Sequence, residues 1–250
     1  LRLDSGIYSD KVFQWKENVL HYKNGYKSLE QYGFKLKRGP NLAKRDLGRS
    51  IQSDKYIQGY NILIYPSDIS SYGYISKVSY LGARNPIWFL GEKDILFAAE
   101  GTIGKTFVVC DTNMKFTTNF HGTIISPSNE NQELIKSVFL GLYLNFIRSQ
   151  GIFDKMSVGG NGGSFAVGYW DNILIPNFSE EQLKMLLNIY TNPEKLDPIK
   201  FDLAKIKKAG IYELNNFLII CKELLKAIRD DIKNDKLQGI EYYQSYTNVD

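Results

Sequence analysis

The motif most suggestive of chemistry runs Ala99-Glu-Gly101-Thr-Ile-Gly104-Lys105-Thr106. A small residue, four arbitrary residues and Gly-Lys-Thr satisfy the relaxed phosphate-loop pattern. Such a loop holds phosphate only where backbone amides and a helix N-terminus converge on the anion, so a helix must follow the lysine. Here Phe107-Val108-Val109-Cys110 follows, a β-branched and aromatic run. The segment is therefore expected as strand-turn-strand, with Gly101 and Gly104 supplying the turn dihedrals. Lys105 reads as either a phosphate contact or a solvated turn residue. A second glycine cluster, Gly159 to Gly163, precedes Ser164-Phe-Ala-Val, which is no helix start, so it is not a dinucleotide fingerprint. It reads either as a mobile loop or as a place where absent side chains let the backbone approach a nucleic acid, with Asn161 and Ser164 offering hydrogen bonds.

Metal and acid-base chemistry find little footing. His21 and His121 each stand alone, as do Cys110 and Cys221, without the close ligand pairs that zinc needs. A lone imidazole does not make an acid-base site, and a capping or core role is expected for His121. Asp68, Asp94, Glu100 and Asp111 fall near strand ends or turns, where carboxylates commonly accept from local amides. No glycine-rich strand-helix start is present to bind a methyl donor. No catalytic residue, metal or cofactor is therefore assigned.

Charge gives the stronger signal. The net charge is only +4, but residues 1–60 carry 12 Lys/Arg against 6 Asp/Glu, while 61–178 carry 8 against 9 and 179–250 carry 11 against 12. Lys35, Lys37, Arg38, Lys44, Arg45 and Arg49 lie within fifteen residues. Exposed together they would neutralise several phosphates; alternatively they form a solvated face. Tyrosine is abundant, at 17 residues, and suits wet interfaces. Tyr72 and Tyr74 lie in a stretch of such rings. No apolar run approaches a membrane span, and the two thiols without framework spacing fit a reducing compartment, hence the cytoplasm.

These residues must be positioned by a mixture of helices and short strands. An early helix is expected around 13–22, and 35–55 reads as an exposed irregular stretch or short helix. Strands are expected at 61–65, 73–80, 87–90, 95–99, 106–110 and 122–125. Helix 131–148 follows, then a strand at 172–175. A further helix begins at Ser179, where Gln182 completes a capping-box pattern, and ends before Pro193. Closely spaced short strands argue for a curved mixed or antiparallel sheet and against a doubly wound one. The fold class is thus α+β, with a long C-terminal helix.

That helix carries Ile211, Leu214, Leu218, Cys221, Leu225, Ile228 and Ile232 at steps of three and four, a heptad seam. The seam either packs against another long helix, in the molecule or in a partner, or lies on the globular domain.

Three separated segments together resemble type I restriction-modification specificity subunits. They are Gly91 to Lys105, with its aspartate, apolar strand and Gly-Thr-Ile-Gly-Lys turn; Asn119-Phe-His-Gly-Thr-Ile-Ile125-Ser-Pro127 with the following helix; and Gly160-Asn-Gly-Gly-Ser through Ile173-Leu-Ile-Pro176 to Glu181-Gln182. Leu3-Asp4 is similar to the family's opening, and the heptad helix falls where the family has its spacer or dimerisation helix. Asn177-Phe178-Ser179 departs from the usual second proline-containing stretch. The resemblance implies a target-recognition domain over 1–193 and a helical spacer or dimerisation region over 194–250. It implies sequence-specific binding of double-stranded DNA on behalf of a DNA adenine methyltransferase, as a partner subunit or a fused domain, with a homodimer or a second specificity half completing the site. Backbone contacts are then expected from Lys35, Lys37, Arg38, Lys44, Arg45, Arg49 and Lys105, and base reading from Tyr72, Tyr74, Asn161 and Ser164. The rival expectation is a scaffold that joins enzyme subunits through the C-terminal helix without touching DNA.

Overall fold

The computed structural model of the chain describes residues 5–159, 163–191, 196 and 202–244. In order, the elements are α1 (Asp10–Leu20), β1 (Tyr26–Lys27), β2 (Phe34–Arg38), α2 (Lys44–Leu47), β3 (Ser50–Ser53), β4 (Asn61–Leu63), β5 (Ser79–Ala83), β6 (Ile95–Ala98), β7 (Thr106–Val108), β8 (Phe116–Thr117) and β9 (Gly122–Pro127). Then come α3 (Leu134–Ser149), α4 (Ile152–Lys155), β10 (Ile175–Pro176), α5 (Glu180–Tyr190), α6 (Leu203–Ile206), α7 (Ile211–Lys233) and α8 (Ile240–Gln244). The class is α+β.

Two four-stranded sheets form where one curved sheet was expected. The first, ordered β2-β9-β6-β7, is antiparallel throughout. The second, β3-β5-β4-β8, is mixed, with β4 and β8 parallel. A two-stranded ribbon joins β1 to β10.

Residues 35–55, expected as an exposed irregular stretch or short helix, contain the short helix α2 but also the strands β2 and β3. Phe34 is buried and Leu36 half-buried, while Lys35 and Lys37 point outward, a period of two that the dense cations disguise. Lysines along an edge strand also discourage further strand addition. Residues 73–76 likewise form a closed loop and not the start of a strand: Gly73 takes φ +85°, and only an isolated bridge joins Ile69 to Ile75. Residues 87–90 contribute one bond, from the Leu90 amide to the Phe116 carbonyl, and no strand. The run before β10 is a 3-10 turn, Val167–Asn172. At α5 the capping box forms as its sequence predicts: the Gln182 amide donates to Ser179 Oγ at 3.4 Å and the Ser179 amide to Gln182 Oε1 at 3.1 Å. Pro193 lies outside the described residues.

The core is organised by β6. Ile95, Leu96, Phe97 and Ala98 are all fully buried, since β6 is flanked by β9 and β7 and its side chains are enclosed on both faces. Helix α3 runs alongside, and Thr106 Oγ1 donates to the Gly141 carbonyl at 2.8 Å. The contact is so close that a Cβ on Gly141 would overlap Val108 Cγ2. At the other end of β6, Phe97 packs edge-on to Trp170 (4.8 Å between centroids) and to Phe153 (5.4 Å), which tie the strand to α4 and to residues 165–170.

Gly141→Ala should therefore destabilise the fold by roughly 1–3 kcal/mol, as overpacked cores do, although alanine is about 1 kcal/mol better than glycine within an exposed helix. Thermal unfolding of Gly141→Ala and of Gly141→Ala/Val108→Ala checks this. The second change removes the overlapping methyl groups, so the penalty of the first should shrink in its background.

Candidate nucleic-acid interface

One end of the first sheet gathers the turns that the sequence singles out. At this end β2 finishes with Arg38, β9 begins at Gly122, β6 finishes at Ala98 and β7 begins at Thr106. The 99–105 and 118–121 turns therefore emerge side by side. The first is held by Gly104 N–H on the Ala98 carbonyl (3.0 Å) and Ala98 N–H on the Lys105 carbonyl (2.8 Å). Gly104 takes φ +87°, and a Cβ there would collide with Phe153, so this glycine is demanded twice. Strand β7 follows Lys105 directly, which leaves the motif without the helix that a phosphate loop requires.

The glycine loop joins the same rim. Gly101 N–H donates to the Gly163 carbonyl at 3.1 Å and Phe165 N–H to the Ala99 carbonyl at 2.8 Å, while Ser164 is bridged to both Glu100 and Val158. Ser164 is exposed there. Asn161 and Gly160 lie outside the described residues, as do the Leu3-Asp4 opening and the end of the tyrosine-rich tail.

Four side chains complete the rim, three of them not foreseen. Arg38 Nε donates to the Phe120 carbonyl at 3.1 Å, and its guanidinium stands 5.4 Å from the centroid of the Phe120 ring. His121, expected as a core or capping residue, is exposed and pairs through Nδ1 with Glu100 Oε2. Glu100 and His121 are 21 positions apart, and only the pairing of β6 with β9 brings their turns together. Asp94, Asp68 and Asp111 instead accept from the local amides of Gly91, Tyr65 and Asn113 at 2.9, 3.0 and 2.9 Å.

On the other side of the 99–105 turn stands a second group. Burial lowers the Lys105 pKa, and the nearby positive Arg148 lowers it further, against the attraction of Asp68. Burial raises Asp68, while Lys77 and Lys105 pull it back. Lys77 and Lys105 thus act on one half-buried carboxylate near the foot of the 70–76 loop, and Arg148 lies near Lys105. At that loop's tip Tyr72 is 85% exposed, with Tyr74 exposed beside it.

The six clustered cations divide among elements. Lys35 and Lys37 project from β2, and Arg38 belongs to the rim. Lys44 and Arg45 sit exposed on α2, with Arg45 Nε 3.4 Å from Asp46. Arg49 lines a groove of about 440 Å³ with Ile51, Tyr60 and the unforeseen Arg84.

Helix α7 presents two faces. Tyr212, Asn215, Ile219 and Glu223 are buried against the sheets. The heptad seam turns away: Ile211, Leu218, Leu225 and Ile232 are exposed, the last two by 59% and 63%, and Leu214, Cys221 and Ile228 are half-buried. Among the described residues no helix covers the seam, and no helix is long and apolar enough to cross a membrane.

No protein-family model matches the chain, and no curated protein does. Solved structures do. The chain is similar to an HsdS subunit from Thermoanaerobacter tengcongensis, with 12% identity, a TM-score of 0.44 and coverage of 74% of this chain and 43% of that one. A type I restriction-modification S subunit from M. genitalium gives 13% and 0.42, covering 65% and 36%. The type IIG restriction endonuclease BpuSI gives 11% and 0.48, covering 86% and 33%. The chain spans less than half the length of each of these three.

The two faces of α7 respond differently to substitution. Leu225→Glu should leave the stability of the dilute chain within about 0.5 kcal/mol, as at other exposed sites. Ile219→Ala should cost about 2–5 kcal/mol. Urea unfolding of both variants measures the difference, and equal losses would mean that the seam faces inward.

Proposed function

We propose that the chain reads a short sequence in double-stranded DNA for a restriction-modification complex and performs no reaction itself. The observation that carries this reading is spatial. Turns from each of the three segments that resemble specificity subunits meet at one end of one sheet, where Glu100 is bridged to Ser164 and paired with His121 and Arg38 donates to the Phe120 carbonyl. A rim of turns bearing a cation, an aromatic ring, a His-Glu pair and an exposed serine suits a duplex, since cations fix the register on phosphates and the polar tips read base edges. Lys35, Lys37 and Arg38, with Lys105 across the turn, hold the backbone in this reading. Lys44, Arg45 and Arg49 extend the contact, and Tyr72, Tyr74, Asn161 and Ser164 address bases.

Residues 1–193 serve as the recognition domain and 194–250 as the helical region. The uncovered seam of α7 takes a second specificity half or a second copy, and the assembly directs a DNA adenine methyltransferase. The free thiols Cys110 and Cys221 suit action in the cytoplasm. The same seam also favours a second reading, in which the chain only joins enzyme subunits.

DNA titration across a range of salt concentrations separates the two. Each phosphate contact adds about 0.9 to the magnitude of the slope of log affinity against log salt. Replacing Lys35, Lys37 and Arg38 by Ala should flatten the slope by about 1–3 and weaken all duplexes alike. Lys44→Ala/Arg45→Ala should act in the same direction. A chain that binds no duplex, even with its methyltransferase, is a scaffold.

A further inference from the structure

The 70–76 loop is a built object. The Ser70 amide donates to the Tyr74 carbonyl at 2.8 Å, and Ser70 Oγ accepts from the Tyr72 and Tyr74 amides, both at 3.2 Å. Beside the exposed Tyr72, the Gly73 backbone is pressed against the core: a Cβ there would lie 2.6 Å from Asn145 Nδ2 and 2.9 Å from the Thr106 carbonyl. Its return limb hangs from α7. Asn215, 5% exposed, accepts the Ile75 N–H on Oδ1 at 2.7 Å. Lys222, two helical turns on, donates to the carbonyl of the next residue, Ser76, at 3.0 Å. All this bracing serves a loop whose most prominent side chain, Tyr72, touches little of the protein. An aromatic ring normally buries 150–250 Å², so a ring held out on a rigid stalk has its area in reserve for a ligand.

We propose that Asn215 is a positioning residue for DNA discrimination: from the long helix it fixes the Tyr72–Tyr74 loop in its reading geometry. The proposal rests on the DNA-reading function above and extends it to a residue that touches no DNA. Asparagine is a poor helix former and an expensive group to bury unless its hydrogen bonds are met. Its place in α7 is explained by the Ile75 amide, which would otherwise be orphaned inside the protein. Lys77 and Lys105, near Asp68 at the foot of the loop, act as sequence-independent anchors, so loosening the loop removes selectivity and leaves general attraction intact.

The test uses the whole chain with its methyltransferase. Selection from a pool of randomised duplexes gives a preferred duplex, and affinities are measured for it and for a scrambled duplex of the same composition. Amide exchange at residues 70–76 is followed without DNA. Asn215→Ala is expected to speed exchange at Ile75 and to lower the preferred-to-scrambled ratio at least tenfold, with scrambled affinity and salt slope unchanged. Asn215→Asp keeps an acceptor for the Ile75 amide and should restore slow exchange and most of the ratio. Lys222→Ala, an exposed change that cannot empty the core, should lower the ratio about threefold and decides the matter if Asn215→Ala fails to fold. Faster exchange with an undiminished ratio overturns the positioning role and leaves DNA reading intact. A wild-type complex with no preferred duplex overturns the DNA reading itself, and this proposal with it.

Discussion

Strand β6 is the constraint from which the rest follows. Four consecutive side chains without access to water require apolar neighbours on both faces and strands on both edges. Helix α3, β9, β7 and the aromatic group around Phe97 and Trp170 supply them. Once β6 is fixed, so is the backbone where it ends. The Ala98 and Ala99 carbonyls accept from Gly104 and Phe165, which sets the 99–105 turn and the far limb of the glycine loop in one step. Polar residues that meet water are thereby placed by bonds made inside or at the edge of the core. Such an arrangement gives surface turns a definite geometry without requiring each to be stable alone.

Elements with one strong local cause were legible in the sequence. Ser179 and Gln182 announce a helix start because the capping box is a four-residue event. Residues 95–98 and 106–108 announce strands because aliphatic and β-branched residues crowd there between turn glycines. Residues 34–38 failed the same reading because only Phe34 and Leu36 mark the buried side, and three cations in five positions look like a coil. Residues 73–80 failed in the other direction. Their composition suits a strand, but Gly73 takes a positive φ and the chain closes on Ser70, a decision made by Asn145, Thr106 and Asn215 from distant parts of the sequence.

The candidate site divides in the same way. Its turns were visible as glycine-bearing motifs, whereas their neighbours were not. His121 has no ligand-like partner nearby in the sequence, and Glu100 becomes its partner only through the β6–β9 register, which sets Ala98 opposite Gly122. Arg148 looks like an ordinary residue of the last turn of α3, yet it lies near Lys105, which in turn feels the half-buried Asp68. Like charges in such proximity favour an anion between or beside them. Nothing in the local sequence of Arg148 or Lys105 predicts that proximity, because it depends on the end of α3 packing against the 99–105 turn at Gly104.

The long helix shows how a correct pattern can leave the orientation undecided. A heptad stripe states that one face of α7 is apolar, not what covers it. The face that docks on the sheets is the less apolar one, with Tyr212, Asn215, Ile219 and Glu223 at steps of three, four and four. Buried Tyr212 and Ile219 hold it to the domain, and specific bonds set its register: Asn215 to Ile75, Lys222 to Ser76, Lys226 to the Asp54 carbonyl at 3.2 Å, and Lys55 to Asp230 at 2.7 Å. Polar docking specifies one register, because each donor must find its acceptor, whereas an apolar stripe tolerates sliding. A helix oriented by its polar face and open on its apolar face is rigid with respect to the sheets while its apolar stripe is still unspent. Whatever pairs with Ile211, Leu218, Leu225 and Ile232 therefore inherits a fixed orientation toward the Tyr72 loop, through a helix that touches both.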